Sequence, residues 1–228
     1  MQLEQILVMA PVLLFSIVAH EYAHAEAAYR QGDQTAYMLG RLTLNPLKHI
    51  DPMMTVVFPL VLIWINAPFV FGAAKPVPVN PRNYRNYVRG DIIVSLAGIA
   101  TNLVLFVVSV ILFALVGLLG RSLPALEGTL EVLQQMMVWG IRLNLILAFF
   151  NLIPIPPLDG SHVLKLLLPP GAGLRFRQLY AFGFFPILLV VWFLPGVVNV
   201  LMWPAERLLD SAHAAVGGLT LPGVFWPL

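Results

Sequence analysis

Two histidines four residues apart, with a glutamate beside the first, are the residues of this 228-residue chain best suited to chemistry: His20-Glu21-Tyr22-Ala23-His24. On a helix, positions i and i+4 share one face, so both imidazoles can reach a single cation. Glu21 then stands where it can take a proton from water activated by that cation. The competing reading is a chance match in which two core histidines merely hydrogen-bond. The setting weighs against it. The flanking stretch from Leu3 to Tyr29 is long and apolar enough to span a bilayer, and ionisable groups at membrane depth are costly and mark functional sites.

Two imidazoles do not complete a catalytic metal site, which as a rule has three protein ligands and one open position. The second signal is Asn151-Leu-Ile-Pro154-Ile-Pro156-Pro157-Leu-Asp159-Gly160. Three prolines in four residues interrupt an apolar helix, and non-helical backbone is tolerated at that depth only inside protein or beside a watery cavity. Asp159 follows directly. Taken alone it reads as the N-cap of the helix that resumes at Gly160; taken with the histidine pair it reads as the third metal ligand.

These residues need elements to hold them, and the composition says what kind. Of all residues 59% are apolar and only 11% charged, against roughly a quarter charged in soluble domains. Lipid must therefore solvate part of the surface. Disorder, nucleic-acid binding and an ordinary cytosolic enzyme are excluded, and a formal charge of only +2 does not point to an acidic partner. There is no cysteine, so any metal site uses His, Asp, Glu or backbone oxygen.

The apolar segments predict an all-α polytopic membrane protein. They run from Leu3 to Tyr29, Met53 to Phe71, Asp91 to Leu119, Leu130 to Phe150 (resuming after the prolines to Leu168), and Leu179 to Met202. Met53–Phe71 carries Pro59 and Pro68 and reads as re-entrant or surface-lying. Residues 1–204 form the membrane-embedded domain and 205–228 an interfacial amphipathic tail, its helix ended by Gly217-Gly218. Between the first two segments, partial alternation over Ala36–Leu44 before Asn45-Pro46 predicts a short β-hairpin or edge strand at the cytosolic interface. That strand could receive an unwound substrate through Leu42 and Leu44. Basic residues cluster in the other connections, at Arg30, Arg41 and Lys48, at Lys75, Arg82, Arg85 and Arg89, and at Lys165, Arg175 and Arg177, whereas 120–129 holds only Arg121. The loops rich in positive charge are placed in the cytosol, which puts both His24 and Asp159 toward that side.

With these motifs on the page, the chain resembles the site-2 protease family of intramembrane zinc metalloproteases. The H-E-x-x-H element and Asn151 to Gly160 carry the resemblance. Gly40-Arg-Leu-Thr-Leu-Asn-Pro-Leu-Lys-His49, Lys75-Pro-Val-Pro-Val-Asn80 and Ala97-Gly98 to Asn102 support it. It implies a three-helix catalytic core, one zinc held by His20, His24 and Asp159, and Glu21 as the base. Asn151 matches a family asparagine near the reaction centre, where it donates to the developing oxyanion or holds substrate backbone. The implied substrate is a transmembrane protein, and the implied location a prokaryotic inner membrane. The chain resembles the short forms, without a PDZ-like or CBS-like insertion. One departure is Ala97-Gly98-Ile99, where the family motif usually reads Ala-Gly-Pro.

Other polar residues allow two readings. Asn102 serves as substrate contact or as interhelical glue. His49 and His162 are solvated or supporting residues before they are ligands, and Arg142, roughly mid-span, needs a partner or a water path. The competing function is a membrane metal-ion transporter or metal-binding protein built on the same His and Asp residues.

Overall fold

The structure, a computed structural model, describes residues 3–57, 60–61, 64 and 75–226. The segment Met53–Phe71 falls largely outside the described residues. Among the described residues, eight α-helices organise the chain: α1 (Leu3–Gln31), α2 (Thr35–Met38), α3 (Tyr87–Ser122), α4 (Glu127–Leu152), α5 (Gly160–Leu167), α6 (Pro170–Gln178), α7 (Phe185–Phe193) and α8 (Pro195–Val216). Three helical stretches among the described residues are long and apolar enough to cross a bilayer, Glu4–Gln31, Tyr87–Ser122 and Pro124–Leu152. They correspond to the first, third and fourth apolar segments. Contacts divide the chain into two units, residues 17–98 and residues 1–16 with 99–228.

In the unit 17–98, α1 stops at Gln31 because Gly32 adopts φ 111°. Gly32 N–H donates to Tyr29 O and Asp33 N–H to Ala28 O, at 3.1 and 2.9 Å. This pair of bonds closes a helix end around a left-handed residue, a position that favours glycine. Ala25, Ala36 and Val77 form a buried apolar cluster, with Leu42 packed against it.

The β-hairpin expected over Ala36–Leu44 is not there. Among the described residues there is no strand. Asp33 Oδ1 accepts from both Thr35 N–H and Thr35 Oγ1–H, which starts a helical turn at Thr35. The following amides turn back on the same loop: Met38 to Gln34, Leu39 to Thr35, Gly40 to Tyr37 and Arg41 to Ala36. Amides bonded locally have nothing to offer a ladder. Leu42 packs inward, and Leu44 is exposed. The strand that motivated a substrate role for these two leucines is absent.

In the other unit, α4 ends at Leu152, where Pro154, Pro156 and Pro157 supply no amide hydrogens and block further turns. Ile153 and Leu158 of this break pack on Ile187 of α7 in a buried cluster. The apolar stretch 179–202, expected as one segment, is broken twice. Gly183 takes φ 54°, and the helices Gly171–Phe182 and Phe185–Phe193 meet at 90°. Pro186 and Pro195 sit in the first turns of α7 and α8. They begin helices, a position where the missing amide hydrogen does no harm, and do not kink one long helix. A second core joins Phe113, Val138, Ile141, Ala212 and Val216 from α3, α4 and α8.

Candidate metal centre

The long, apolar α1 carries the H-E-x-x-H motif on uninterrupted helix, so the i, i+4 geometry is realised. His20 Nε2 and His24 Nε2 lie 3.0 Å apart. Two nitrogens on one tetrahedral zinc, each at 2.0–2.1 Å, would be about 3.3 Å apart. His24 Nδ1 lies 2.7 Å from Val94 O. A carbonyl only accepts, so Nδ1 carries the hydrogen, and in the neutral ring Nε2 keeps its lone pair for a cation. His20 is buried and His24 partly so.

Backbone comes very close to this pair. A Cβ added to Gly98 would stand 2.5 Å from His20 Cε1, 2.6 Å from His20 Nε2 and 2.6 Å from His24 Nε2. No side chain fits there without displacing an imidazole. In the sequence Gly98 was legible only as part of a family motif; its physical reason is the close approach of α3 to the rings. The neighbouring glutamate is also held: Val77 N–H donates to Glu21 Oε2 at 2.8 Å. That bond fixes one carboxylate oxygen and explains the role of the Lys75–Asn80 stretch, which composition alone does not reveal.

Asp159 has helical φ and ψ, −58° and −40°, and its side chain makes no capping bond to α5. The N-cap reading is thereby set aside. His20, His24 and Asp159 each offer one ligand atom, and these atoms all lie within 4.8 Å of one another. Two imidazole nitrogens and one carboxylate oxygen are a donor set for zinc or a similar divalent ion, and they leave a position for water. No other His, Asp or Glu joins this group among the described residues.

The remaining candidates have other partners. Asn102 is fully buried, and its Nδ2 donates to Asn144 Oδ1 at 2.8 Å; Asn144 Nδ2 donates in turn to Gly140 O. This is an interhelical bond between α3 and α4. Asn151 Nδ2 donates to Leu147 O at 2.9 Å, one turn back on α4. His49 is buried, with Nε2 2.8 Å from Thr43 O. His162 stands edge-on to Tyr180, ring centroids 5.3 Å apart. Glu26 pairs with Arg30 at 2.7 Å on the surface of α1.

The family model of peptidase family M50 matches residues 125–191, the stretch that contains the proline break and Asp159. YwhC of Bacillus subtilis (strain 168), a zinc metalloprotease by assignment, is 39% identical over 216 residues, covering 95% of this chain and 91% of its own. The chain belongs to peptidase family M50. Two proteins named Rip2, also assigned as zinc metalloproteases, extend the comparison. That of Mycolicibacterium smegmatis is 32% identical over 186 residues, 82% of this chain and 66% of its own. That of Mycobacterium tuberculosis (strain H37Rv) is 30% identical over 220 residues, 94% of this chain and 79% of its own. No solved structure matches the chain at a significant level. This M50 peptidase is the membrane metalloprotease that the resemblance to site-2 proteases implies.

Proposed function

We propose that this M50 peptidase hydrolyses a peptide bond within or beside a transmembrane helix of another membrane protein, using one zinc ion held by His20, His24 and Asp159. The observation that carries the reading is the meeting of these three ligand atoms beside Glu21, with the histidines on a helix long enough to span a bilayer. The zinc-metalloprotease assignments of the M50 relatives support the choice of metal.

Zinc, when bound, is a Lewis acid that polarises the scissile carbonyl and makes water a better nucleophile at neutral pH. Glu21 is the general base. It takes the proton from the attacking water and delivers it to the leaving amine. The Val77 N–H on Oε2 orients the carboxylate and leaves Oε1 for the water. Asn151 keeps one amide hydrogen beyond its bond to Leu147 O, and that hydrogen is the one available to a substrate carbonyl. A helical substrate must unwind first, because its peptide bonds are shielded by their own hydrogen bonds. The basic connections at Arg30, Arg41, Lys48, Lys75, Arg82, Arg85 and Arg89 support a cytosolic entry for water, in the cytoplasmic membrane of a prokaryote.

The test is metal analysis and cleavage by purified wild type, Glu21→Gln and Asp159→Ala, with membrane proteins trapped by Glu21→Gln as substrates. Glu21→Gln retains one zinc per chain and cuts nothing; turnover by this variant rejects the assigned base. Asp159→Ala loses zinc; full occupancy rejects it as a ligand. Zinc uptake into vesicles without proteolysis would instead establish a transporter.

A further inference from the structure

Asp159 sits in the turn between the proline break and α5, and its carbonyl accepts from His162 N–H at 3.0 Å. Pro154, Pro156 and Pro157 lack amide hydrogens, α5 is only eight residues long, and Asp159 does not cap it. What closes the turn is Ser161. Its N–H donates to Leu158 O at 3.0 Å, and its Oγ lies 2.5 Å from the same carbonyl oxygen. Asp159 and Gly160 are the two residues enclosed. Ser161 is fully buried and Leu158 nearly so.

Ser161 Oγ also lies 2.6 Å from Tyr180 Oη. The direction of these bonds follows from valence. A carbonyl oxygen can only accept, so the single hydroxyl hydrogen of Ser161 goes to Leu158 O. Ser161 Oγ must then accept from Tyr180 O–H. The result is a one-way chain, Tyr180 to Ser161 to Leu158, ending on the residue before Asp159. Tyr180 belongs to the helical turn Leu179–Phe182 that follows α6. Its ring is itself held edge-on by His162 and Phe176, at centroid distances of 5.3 and 6.4 Å.

We propose that Tyr180 is a positioning residue for the metal centre, acting through Ser161 to fix the turn that aims Asp159. The inference rests on Asp159 being a ligand. Groups that orient a ligating carboxylate raise metal affinity because the ligand then loses little freedom on binding, and their removal weakens binding by about 10–100-fold. Tyr180→Phe is the informative variant. It keeps the ring against His162 and Phe176 and deletes only the hydroxyl.

The experiment measures zinc dissociation constants by competition with a chromophoric chelator, using purified full-length wild type, Tyr180→Phe, Ser161→Ala, the double variant and Asp159→Ala. The melting temperature of each zinc-free protein is read in parallel. Tyr180→Phe weakens zinc about tenfold or more, with the zinc-free melting temperature unchanged. The double variant binds no more weakly than Ser161→Ala, because both substitutions break one chain. Wild-type affinity in Tyr180→Phe overturns the proposal. So does full additivity in the double variant, or a loss of affinity matched by a lower zinc-free melting temperature. The Asp159→Ala arm separates two failures. If it loses zinc and Tyr180→Phe does not, only the positioning role falls; if it binds like wild type, the ligand assignment falls and takes the positioning role with it.

Discussion

Two irregular segments of this protein are each held by one buried side chain above all, a carboxylate in one and a primary amide in the other. In the unit 17–98 a single carboxylate does it. Asp33, almost fully buried, accepts from Thr35 N–H, Thr35 Oγ1–H, Asn80 N–H and Asn83 Nδ2, at 3.1, 2.5, 2.6 and 2.8 Å. In the other unit, Glu131, Gln134 and Gln135 on α4 hold the segment 219–225. Gln134 Nε2 donates to Leu219 O and to Phe113 O, while its Oε1 accepts from Leu221 N–H. Gln135 makes both bonds to Phe225, and Glu131 accepts from Gly223 N–H. A carboxylate can only accept, so it gathers donors from several places at one point. A primary amide donates and accepts, so it serves a carbonyl and an amide of one segment at once. Asp33 lies beyond the spanning part of α1, whereas Gln134 lies within the apolar α4, where a charge would be far more expensive than a neutral amide.

The largest effect on stability is expected from Gln134→Leu. Gln134 is fully buried, and the substitution leaves Leu221 N–H and Leu219 O without their partner in an apolar setting. Each buried unsatisfied group costs about 1–3 kcal/mol, so the loss is roughly 2–6 kcal/mol. Thermal unfolding in detergent and amide exchange over 219–225 read it. An unchanged melting temperature with slow exchange in the tail would mean that apolar packing, such as Trp226 against Phe113 at 5.1 Å, holds the segment by itself.

The same contrast explains what the sequence showed and hid. The long helices were legible because a run of about 20 apolar residues has few other fates. The candidate metal group His20, His24 and Asp159 was legible because i, i+4 spacing and a proline break each have a mechanism. The hairpin reading at Ala36–Leu44 failed at Asp33: alternation is visible locally, but a carboxylate that starts a helical turn at Thr35 outweighs it. The stretch 179–202 failed because composition measures apolarity and not continuity, and proline at a helix start leaves the same trace as proline inside one. Glu131, Gln134 and Gln135 share a helix face by spacing, but their partners lie some 85 to 92 residues further on. The bond from Tyr180 to Ser161 hides for the same reason, since nothing local marks a tyrosine that reaches back to a turn.

A smaller effect, and one that the buried carboxylate can show and the buried amide cannot, is pH dependence. Burial pushes the Asp33 carboxyl up, but hydrogen bonds from Asn80 N–H, Thr35 Oγ1–H, Asn83 Nδ2 and Thr35 N–H together outweigh it and hold the group below its ordinary value of 3.8. A lowered folded-state value means that the unfolded chain binds its proton first. The stabilisation is therefore present above 3.8 and is lost as pH falls through the lower folded-state value. Asp33→Asn is expected to melt below wild type at neutral pH, because the amide NH2 faces donors. Its deficit should shrink as acidification carries the pH below 3.8 and through the lower folded-state value, where wild type loses its own advantage. A deficit independent of pH would show that packing around Asp33, and not its charge, carries the contribution.

The smallest expected effect is the sharpest check on why the tail clasp uses neutral amides. Gln135 makes the same two kinds of bond as Gln134, to Phe225 N–H and O at 2.8 and 2.9 Å, but in an exposed position. Water can replace an amide there, so Gln135→Ala should cost only about 0.5–1 kcal/mol. Exchange at Phe225 should quicken while exchange at Leu221 stays slow. If burial sets the value of each bond, Gln134 and Gln135 must differ by several-fold although their partners are alike. Equal losses at the two positions would mean that the tail comes away as one cooperative unit once any rung is removed. The clasp would then work as a latch with one release energy, and the separate worth assigned to each amide would have to be abandoned.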